Sequence, residues 1–286
     1  MSASQESFTK PARTIVLIHG LWMTALCWEN WIRHYSAQGC RVIARSWPDM
    51  DVDMEELRRD PSAIAYLGIP DIVTHYEEII KGLDEPPIVI GHSFGALITQ
   101  ILLDRGYGAA GVAIATAPVK GIFLLPFSTL RASFPALRNP ANNHRAVPLT
   151  PRQFHYAFTN TLTATESRFV YERYAVPGPA HVLFEAALAN FQPHATTRIN
   201  FQNPSRPPLL LVAGEKDHIS PPSLVRATHR LHRKSAAITE IQEFSGRSHF
   251  ILGQEGWQQV ADYVLHWAMR SPKPQRHAAC GARFHS

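Results

Sequence analysis

The stretch PPIVIGHSFGALITQ, residues 86–100, places one serine between two glycines, where an apolar run ends and a helical pattern begins. The run before Ser93 is typical of a buried strand, and the residues after it recur at helical spacing. A turn this sharp requires very small residues two positions before and after the serine, since a Cβ there would collide with the adjoining backbone. Gly91 and Gly95 meet this requirement. The stretch therefore predicts a strand, a tight turn carrying Ser93, and a helix.

Outward from this stretch, strand and helix patterns alternate along the chain. The predicted strands are short apolar runs at 14–20, 41–47, 86–91, 110–117, 207–214 and 237–244. The predicted helices cover 27–39, 71–83, 94–106, 220–232 and 254–270. This alternation predicts an α/β fold, with a mostly parallel sheet of about six or more strands flanked by helices on both faces. Catalytic residues of such sheets lie in the loops that follow the strands.

Composition narrows the class of protein. The chain has 286 residues, of which 45% are hydrophobic and 18% charged, and no apolar run approaches the ~20 residues of a membrane span. One large domain with an insertion is expected. The first 13 residues lack the apolar core of a signal peptide, so a cytoplasmic protein is predicted. The net charge of +5 is scattered rather than gathered on one element, so we expect no nucleic-acid partner.

No cofactor or metal is predicted from the motifs. Cys27, Cys40 and Cys280 have no C-x-x-C spacing, which argues against a disulfide framework or a thiolate metal site. The segment GYGAAG (106–111) matches the glycine pattern of dinucleotide-binding folds. It follows a predicted helix and precedes a strand, however, which is the reverse of the context that such a motif needs.

A serine nucleophile needs a base, and the position of each histidine selects among the fifteen. His249 follows the last predicted strand in a glycine-containing loop, from which it can reach across the strand ends to Ser93. His92 adjoins the serine on a tight turn, where neighbouring side chains point apart, so it is interpreted as a packing or hydrogen-bonding residue. His218 lies beside the best acid and is poorly placed to face the nucleophile.

The base in turn needs a carboxylate that fixes its tautomer and stabilises the imidazolium. Asp217 follows the strand at 207–214 by a few residues and precedes two prolines that stiffen the loop. Glu215 is the second candidate, although it is closer to the strand and has a longer side chain. The predicted catalytic residues are therefore Ser93, Asp217 and His249.

The order Ser93, Asp217, His249, the G-x-S-x-G turn and the preceding LIHG (17–20) resemble the α/β-hydrolase superfamily, in particular its serine carboxylesterase and lipase-like branch. The resemblance covers residues 12–270. It implies an oxyanion hole of two backbone N–H groups, from Phe94 and from Leu21, with Trp22 as the alternative to Leu21.

The resemblance also assigns two supporting roles and one difference. It implies that His19 anchors the oxyanion loop and that Trp28 packs beneath it. About a dozen residues precede the first strand, so the usual first antiparallel hairpin is expected to be missing or shortened.

The resemblance implies a hydrolase core (1–117 and 205–270) with a helical cap insertion (118–204), and the tail at 271–286 is predicted to be flexible. Phenylalanines, leucines and alanines of the insertion favour a small-molecule ester with an apolar acyl or aromatic part. Most of these side chains must also pack on the core, so no binding residue is assigned among them.

The expected activity is hydrolysis of a carboxylic ester through an acyl-enzyme. The same triad in this superfamily also serves lactone, amide or carbon–carbon bond hydrolysis and cofactor-free perhydrolysis, which the motifs do not separate. Haloalkane dehalogenases and epoxide hydrolases are disfavoured, because they have aspartate at the position of Ser93. A ligand receptor on a hydrolase scaffold is the alternative outside enzymes. The sequence does not predict the oligomeric state.

Overall fold

A computed structural model describes residues 13–271 of the chain. Its central feature is a sheet of six parallel strands in the order β2-β1-β3-β4-β7-β8, numbered along the chain. The strands are β1 (Thr14–Ile18), β2 (Arg41–Ala44), β3 (Ile88–His92), β4 (Ala110–Ile114), β7 (Leu209–Gly214) and β8 (Thr239–Phe244). All six lie within or overlap the runs predicted as strands, which confirms the predicted fold class.

Helices cover this sheet, and they are named here with their bounds. They are α1 (Glu29–Ala37), α2 (Met54–Arg59), α3 (Ile69–Lys81), α4 (Phe94–Asp104), α9 (Pro222–His232) and α10 (Trp257–Arg270). The sequence interpretation missed α2, a short helix whose N-cap Asp53 accepts hydrogen bonds from the amides of Glu55 and Glu56.

Both faces of the sheet are buried at its four central strands, as continuously apolar strands require, whereas the edge strands β2 and β8 are partly exposed. Neighbouring residues of a strand point to opposite faces, and in β7 Leu211 packs with Val225 of α9 in one core cluster while Val212 belongs to another. The second cluster also contains Val264 of α10. The helices on the two faces therefore hold the sheet, and with it the loops after β3, β7 and β8, in fixed positions.

Between β4 and β7 the chain forms a predominantly helical segment. It contains α5 (Phe127–Leu137), α6 (Pro151–Ala157), α7 (Ala164–Tyr174), α8 (Ala180–Leu188) and a two-stranded antiparallel ribbon of β5 (Ala146–Val147) and β6 (Gly178–Pro179). We call residues 118–204 the insert. Its assignment as a cap separate from the core stays a prediction.

The prolines at 126, 135, 140, 148 and 151 predict short helices joined by stiff turns in the insert, and all but Pro135 agree. Pro126 is the N-cap of α5 and Pro151 is the first residue of α6. Pro135 differs, because it lies inside α5 rather than in a turn. The helix continues past it, since the amide of Arg138 still bonds the carbonyl of Phe134 at 2.9 Å.

Within residues 13–271, no helix is both long enough and apolar enough to cross a membrane. Cys27 and Cys40 are buried free cysteines. Cys280 and the predicted flexible tail lie outside the described residues, apart from Ser271 at the end of α10.

Candidate active site

Ser93 lies on a strained turn between β3 and α4. Its φ of 57° and ψ of −118° are unusual for a residue with a side chain, and its amide bonds the carbonyl of Ile114 at 2.9 Å. A Cβ added to Gly91 would lie 2.0 Å from the carbonyl oxygen of Gly95, and one added to Gly95 would lie 2.1 Å from that of Ile18. Backbone atoms therefore leave no room for a side chain at either position, as predicted for two glycines around this serine.

His249 and Asp217 meet beside this turn. His249 Nδ1 lies 2.7 Å from Asp217 Oδ2, and both side chains are fully buried. The other carboxylate oxygen, Oδ1, accepts hydrogen bonds from the amides of Ile219 at 2.7 Å and Ser220 at 2.8 Å. Because an ionised carboxylate only accepts, the hydrogen on the imidazole is assigned to Nδ1. Nε2 is therefore left with its lone pair free to act as a base.

The imidazole of His249 is held against the residue before the nucleophile. Its ring lies 4.6 Å from that of His92, centroid to centroid, and His92 Nε2–H donates a hydrogen bond of 2.9 Å to the carbonyl of His249. Among residues 13–271, Nε2 of His249 has no hydrogen-bond partner, so the bond to Ser93 Oγ is not formed in this structure. Such bonds are often long before a substrate binds.

His92 is a hydrogen-bonding residue, as the sequence interpretation expected. Its burial lowers the pKa of its imidazole well below the ordinary value of 6.5, and the nearby His249 lowers that pKa further. His92 therefore stays neutral at physiological pH and keeps its role as a donor to the His249 loop.

The other candidates lie elsewhere. Glu215 accepts hydrogen bonds from the hydroxyl of Ser245 at 2.6 Å and the amide of Gly246 at 2.8 Å, and these bonds lower its pKa to about 2. Glu215 therefore stabilises the loop that precedes His249 and is not the partner of the His249 imidazole. His218 Nδ1 contacts the carbonyl of Tyr156 in the insert, at 2.8 Å. Neither residue replaces Asp217 or His249.

The loop predicted to supply an oxyanion N–H lies directly against Ser93. A Cβ added to Gly20 would lie 2.7 Å from Ser93 Cβ and 3.3 Å from its Oγ. Phe94 is the first residue of α4, whose first amides have no partner within the helix. The structure thus brings the Gly20–Leu21 loop and the start of α4 together at the nucleophile.

His19 holds this loop from below. Its Nε2 accepts a hydrogen bond from the amide of Trp47 at 3.0 Å, and Nδ1–H donates to the carbonyl of Gly20 at 2.8 Å. Complete burial lowers its pKa from 6.5 to about 4, so the ring stays neutral and can make both bonds. Trp28 is buried nearby and packs edge-on against Trp31, with ring centroids 5.2 Å apart.

Trp22 connects the same loop to the insert, a role that the sequence interpretation missed. Its φ is 67°, its carbonyl accepts from the amide of Val176 at 3.0 Å, and Nε1–H donates to the carbonyl of Val147 at 2.9 Å. Its partners are too distant in the chain to be found from a motif.

The insert covers the site. Phe158 packs edge-on against His249, with ring centroids 5.0 Å apart, and its carbonyl accepts from the amide of Phe250 at 2.9 Å. Ser93 is only 5% exposed and His249 is not exposed at all. A cavity of about 460 Å³ borders Trp22 and Phe154 but is not lined by Ser93, Asp217 or His249. The site is therefore closed, and this cavity is separate from it.

Within the described part of the chain, no three His, Cys, Asp or Glu side chains are grouped as metal ligands would be.

Comparisons with known proteins agree with this fold. The model of the alpha/beta hydrolase family matches residues 15–263. None of the curated proteins compared with the chain gave a significant match. Solved structures that are similar include a monoacylglycerol lipase of Paleococcus ferrophilus, with a TM-score of 0.62, 20% identity, and coverage of 89% of this chain and 93% of that one.

Two further similar structures have lower identity. A pyrethroid hydrolase of Sphingobium faniae JZ-2 has a TM-score of 0.60 and 16% identity over 91% of this chain and 98% of its own. A methylesterase from Arabidopsis has a TM-score of 0.61 and 12% identity over 90% and 99%. At these identities the structures show a shared fold. Because the family model matches residues 15–263, which is most of this chain, the chain belongs to the α/β-hydrolase family.

Proposed function

We propose that the chain is a serine hydrolase that cleaves a carboxylic ester through an acyl-enzyme. The observation that carries this proposal is the buried 2.7 Å contact between Asp217 and His249 Nδ1, next to a serine on a strained turn. That contact leaves His249 Nε2 as the base, which a serine hydroxyl needs before it can attack a carbonyl.

In the proposed first half-reaction, His249 Nε2 takes the proton of Ser93 Oγ as Oγ bonds to the ester carbonyl carbon. The carbonyl π electrons move onto oxygen, which becomes an oxyanion facing the amides of Leu21 and Phe94. When the tetrahedral intermediate collapses, the bond to the alkoxy oxygen breaks and His249 returns the proton to it. An alcohol leaves, and the acyl group stays on Ser93.

In the second half-reaction, water replaces the hydroxyl of Ser93 as the nucleophile. His249 takes a proton from water, the hydroxide bonds to the acyl carbon, and the Ser93 oxygen leaves with the proton from His249. A carboxylic acid is released. Loss of one of the two amides that face the oxyanion would raise the barrier to acylation by about 3 kcal/mol. The reason is that negative charge on the carbonyl oxygen develops only as the tetrahedral intermediate forms.

We further infer that the insert, residues 118–204, acts as a cap that selects a small-molecule ester with an apolar acyl or aromatic part. Phe158 of the insert packs against the imidazole of His249, and Trp22 of the loop beside Ser93 packs edge-on against Phe158, so apolar side chains surround this part of the site. The esterase and lipase neighbours support this class of substrate but do not identify the acid or the alcohol.

A fluorophosphonate probe and a Ser93→Ala variant test the proposal. We expect one covalent adduct at Ser93 in the intact mass of the wild-type chain, and turnover of short p-nitrophenyl esters. Ser93→Ala should lose the adduct and lower kcat by several orders of magnitude, with unchanged far-UV circular dichroism. Activity of the variant within about tenfold of wild type would remove Ser93 from the mechanism. Labelling without turnover of any ester would favour a receptor on this scaffold.

A further inference from the structure

The outer face of α5 is apolar, and no other part of residues 13–271 covers it. Phe127, Leu130 and Phe134 follow one face at helical spacing and are 78%, 48% and 61% exposed. The opposite face is buried and carries only small side chains, those of Thr129, Ala132 and Ala136. Three of the four large apolar side chains of α5 therefore face away from the core, and only Leu137 packs against it.

The exposed apolar surface continues beyond α5. Phe123 and Leu125, just before the helix, are 77% and 62% exposed, and Phe191 at the end of the α8 region is 82% exposed. Asn190 joins the two segments, because its side chain accepts from the amide of Gly121 and donates to the carbonyl of Ile122, both at 2.7 Å. We call these side chains the docking face: Phe123, Leu125, Phe127, Leu130, Phe134 and Phe191.

The segment that carries most of the docking face has cations and no acids. Between Asp104 and Glu166 the chain has six basic residues and not one aspartate or glutamate. The six are Arg105, Lys120, Arg131, Arg138, Arg145 and Arg152. Arg131 and Arg138 lie on or directly after α5 and are exposed. Large apolar side chains bordered by cations are the pattern of a helix that lies in the interface of an anionic membrane.

We propose that the docking face binds the surface of a bilayer that contains anionic lipids, with the apolar side chains in the interface and the arginines on the headgroups. Charge favours this occupant over a second copy of the chain. A symmetric dimer through this face would bring two acid-free segments together and place like charges opposite each other. The anionic lipid headgroups supply the negative charge that the segment lacks.

The docking face is tied to the candidate site but does not depend on its chemistry. Thr129 Oγ1, on the buried side of α5, donates a hydrogen bond of 2.8 Å to the carbonyl of Ile219, two residues after Asp217. A membrane that holds α5 would therefore lie on the other side of this helix from the loop that carries Asp217. Binding to lipid can be measured whether or not the chain hydrolyses esters, so failure of one proposal leaves the other standing.

Vesicle co-sedimentation tests this proposal with the full chain. We expect binding to vesicles of phosphatidylcholine mixed with phosphatidylglycerol, and much weaker binding to phosphatidylcholine alone. High salt should weaken it, because salt screens the attraction to the headgroups. The double variant Phe127→Ser, Phe134→Ser should lower the partition coefficient at least about tenfold, since two aromatic side chains no longer enter the interface. Arg131→Gln with Arg138→Gln should lower it about fivefold per charge, on mixed vesicles only.

Phe169→Ser is the matched control, because Phe169 is 76% exposed but lies on α7 between Glu166 and Glu172, away from the docking face. It should leave binding unchanged. All variants alter exposed positions, and their melting curves show whether the fold is kept. Equal binding to both vesicle types by wild type and variants would overturn the proposal. So would a monomer that binds no vesicle, or a lipid-independent dimer in sedimentation velocity that Phe127→Ser, Phe134→Ser dissociates.

Discussion

At the scale of single residues, the orientation of one imidazole decides whether the site can work. Both carboxylate oxygens of Asp217 have partners. Oδ2 contacts His249 Nδ1, and Oδ1 accepts hydrogen bonds from the amides of Ile219 and Ser220, which keep the carboxylate in place. The carboxylate has few rotamers left. Asp217 therefore contacts one nitrogen of His249, and the other nitrogen, Nε2, has no hydrogen-bond partner among residues 13–271.

Asp217→Asn should lower kcat for ester hydrolysis by about 10⁴, because an amide can donate to Nδ1 and so favour the wrong tautomer of His249. Steady-state kinetics with a p-nitrophenyl ester measures this. Glu215→Gln is the matched control, since that side chain contacts Ser245 and Gly246 and should leave kcat within about twofold. If Glu215→Gln were the more damaging change, the acid would have been assigned to the wrong residue.

Much of the candidate site could be predicted at this scale, because the residues lie just after strands of a parallel sheet and their chemistry is distinctive. Position after a strand predicts each of the three candidate catalytic residues, Ser93, Asp217 and His249. The structure brings Asp217 and His249 into contact. The roles of supporting residues were harder to predict. Trp22 donates to a carbonyl 125 residues away, and no local pattern in the sequence encodes such a partner.

At the scale of elements, the strands of the core were predicted well because they are buried on both faces and read as continuous apolar runs. The predicted helix starting at Ser220 begins instead at Pro222, since the amide of Ser220 is turned toward Asp217. The β5–β6 ribbon of the insert was missed. Its strands have two residues each, which is too short to show a period, and the closest pair in register, Val147 and Gly178, lies 31 positions apart in the chain.

The same scale explains why the site is closed. The insert contacts the core through a few specific bonds beside the candidate site, among them Thr129 to the carbonyl of Ile219 and Phe250 to the carbonyl of Phe158. Because Ser93 is 5% exposed and His249 is fully buried, movement of the insert would widen access to Ser93.

Thr129→Val should favour a form in which the insert has moved away from the candidate site. Valine has the same shape as threonine but cannot donate a hydrogen bond to the carbonyl of Ile219. A loss of about 1 kcal/mol shifts the equilibrium between closed and open forms about fivefold. We expect kcat/KM for bulky esters to rise by up to that factor, and the free energy of unfolding to fall slightly.

Thr163→Val is the control for this change. It removes the N-cap of α7, where Thr163 Oγ1 accepts from the amide of Glu166 at 3.3 Å, and should cost about 1 kcal/mol of stability. The hydroxyl of Thr163 bonds Glu166 and not Ile219, so the kinetics of Thr163→Val should match those of wild type. Equal kinetics for both variants would show that the Thr129 bond does not restrain access.

At the scale of the whole molecule, several buried histidines make the fold sensitive to acid. His19, His92 and His232 are almost completely buried, and each is held neutral by its surroundings. Burial lowers the pKa of His19 to about 4 and that of His232 to about 3, and it lowers the pKa of His92 well below 6.5. His232 lies on α9 and its Nε2 bonds Gln100 of α4 at 2.9 Å, so the effect is spread over the core.

The sign of the effect follows from proton binding. In the unfolded chain these imidazoles take up protons below about pH 6.5, whereas in the folded chain they stay neutral down to about pH 4 for His19 and lower still for His232. The unfolded state therefore binds more protons between these values, and the free energy of unfolding falls as the pH falls. Each proton contributes a slope of about 1.4 kcal/mol per pH unit.

Urea unfolding between pH 7 and pH 4 measures this slope. We expect His232→Gln to reduce the proton uptake on unfolding by about one, because it removes one titrating group while keeping an amide that can bond Gln100. Gln258→Ala, at an exposed position of α10, is the control, because it removes no titrating group. If His232→Gln had the same pH dependence as wild type, the acid sensitivity would come from groups other than this buried imidazole.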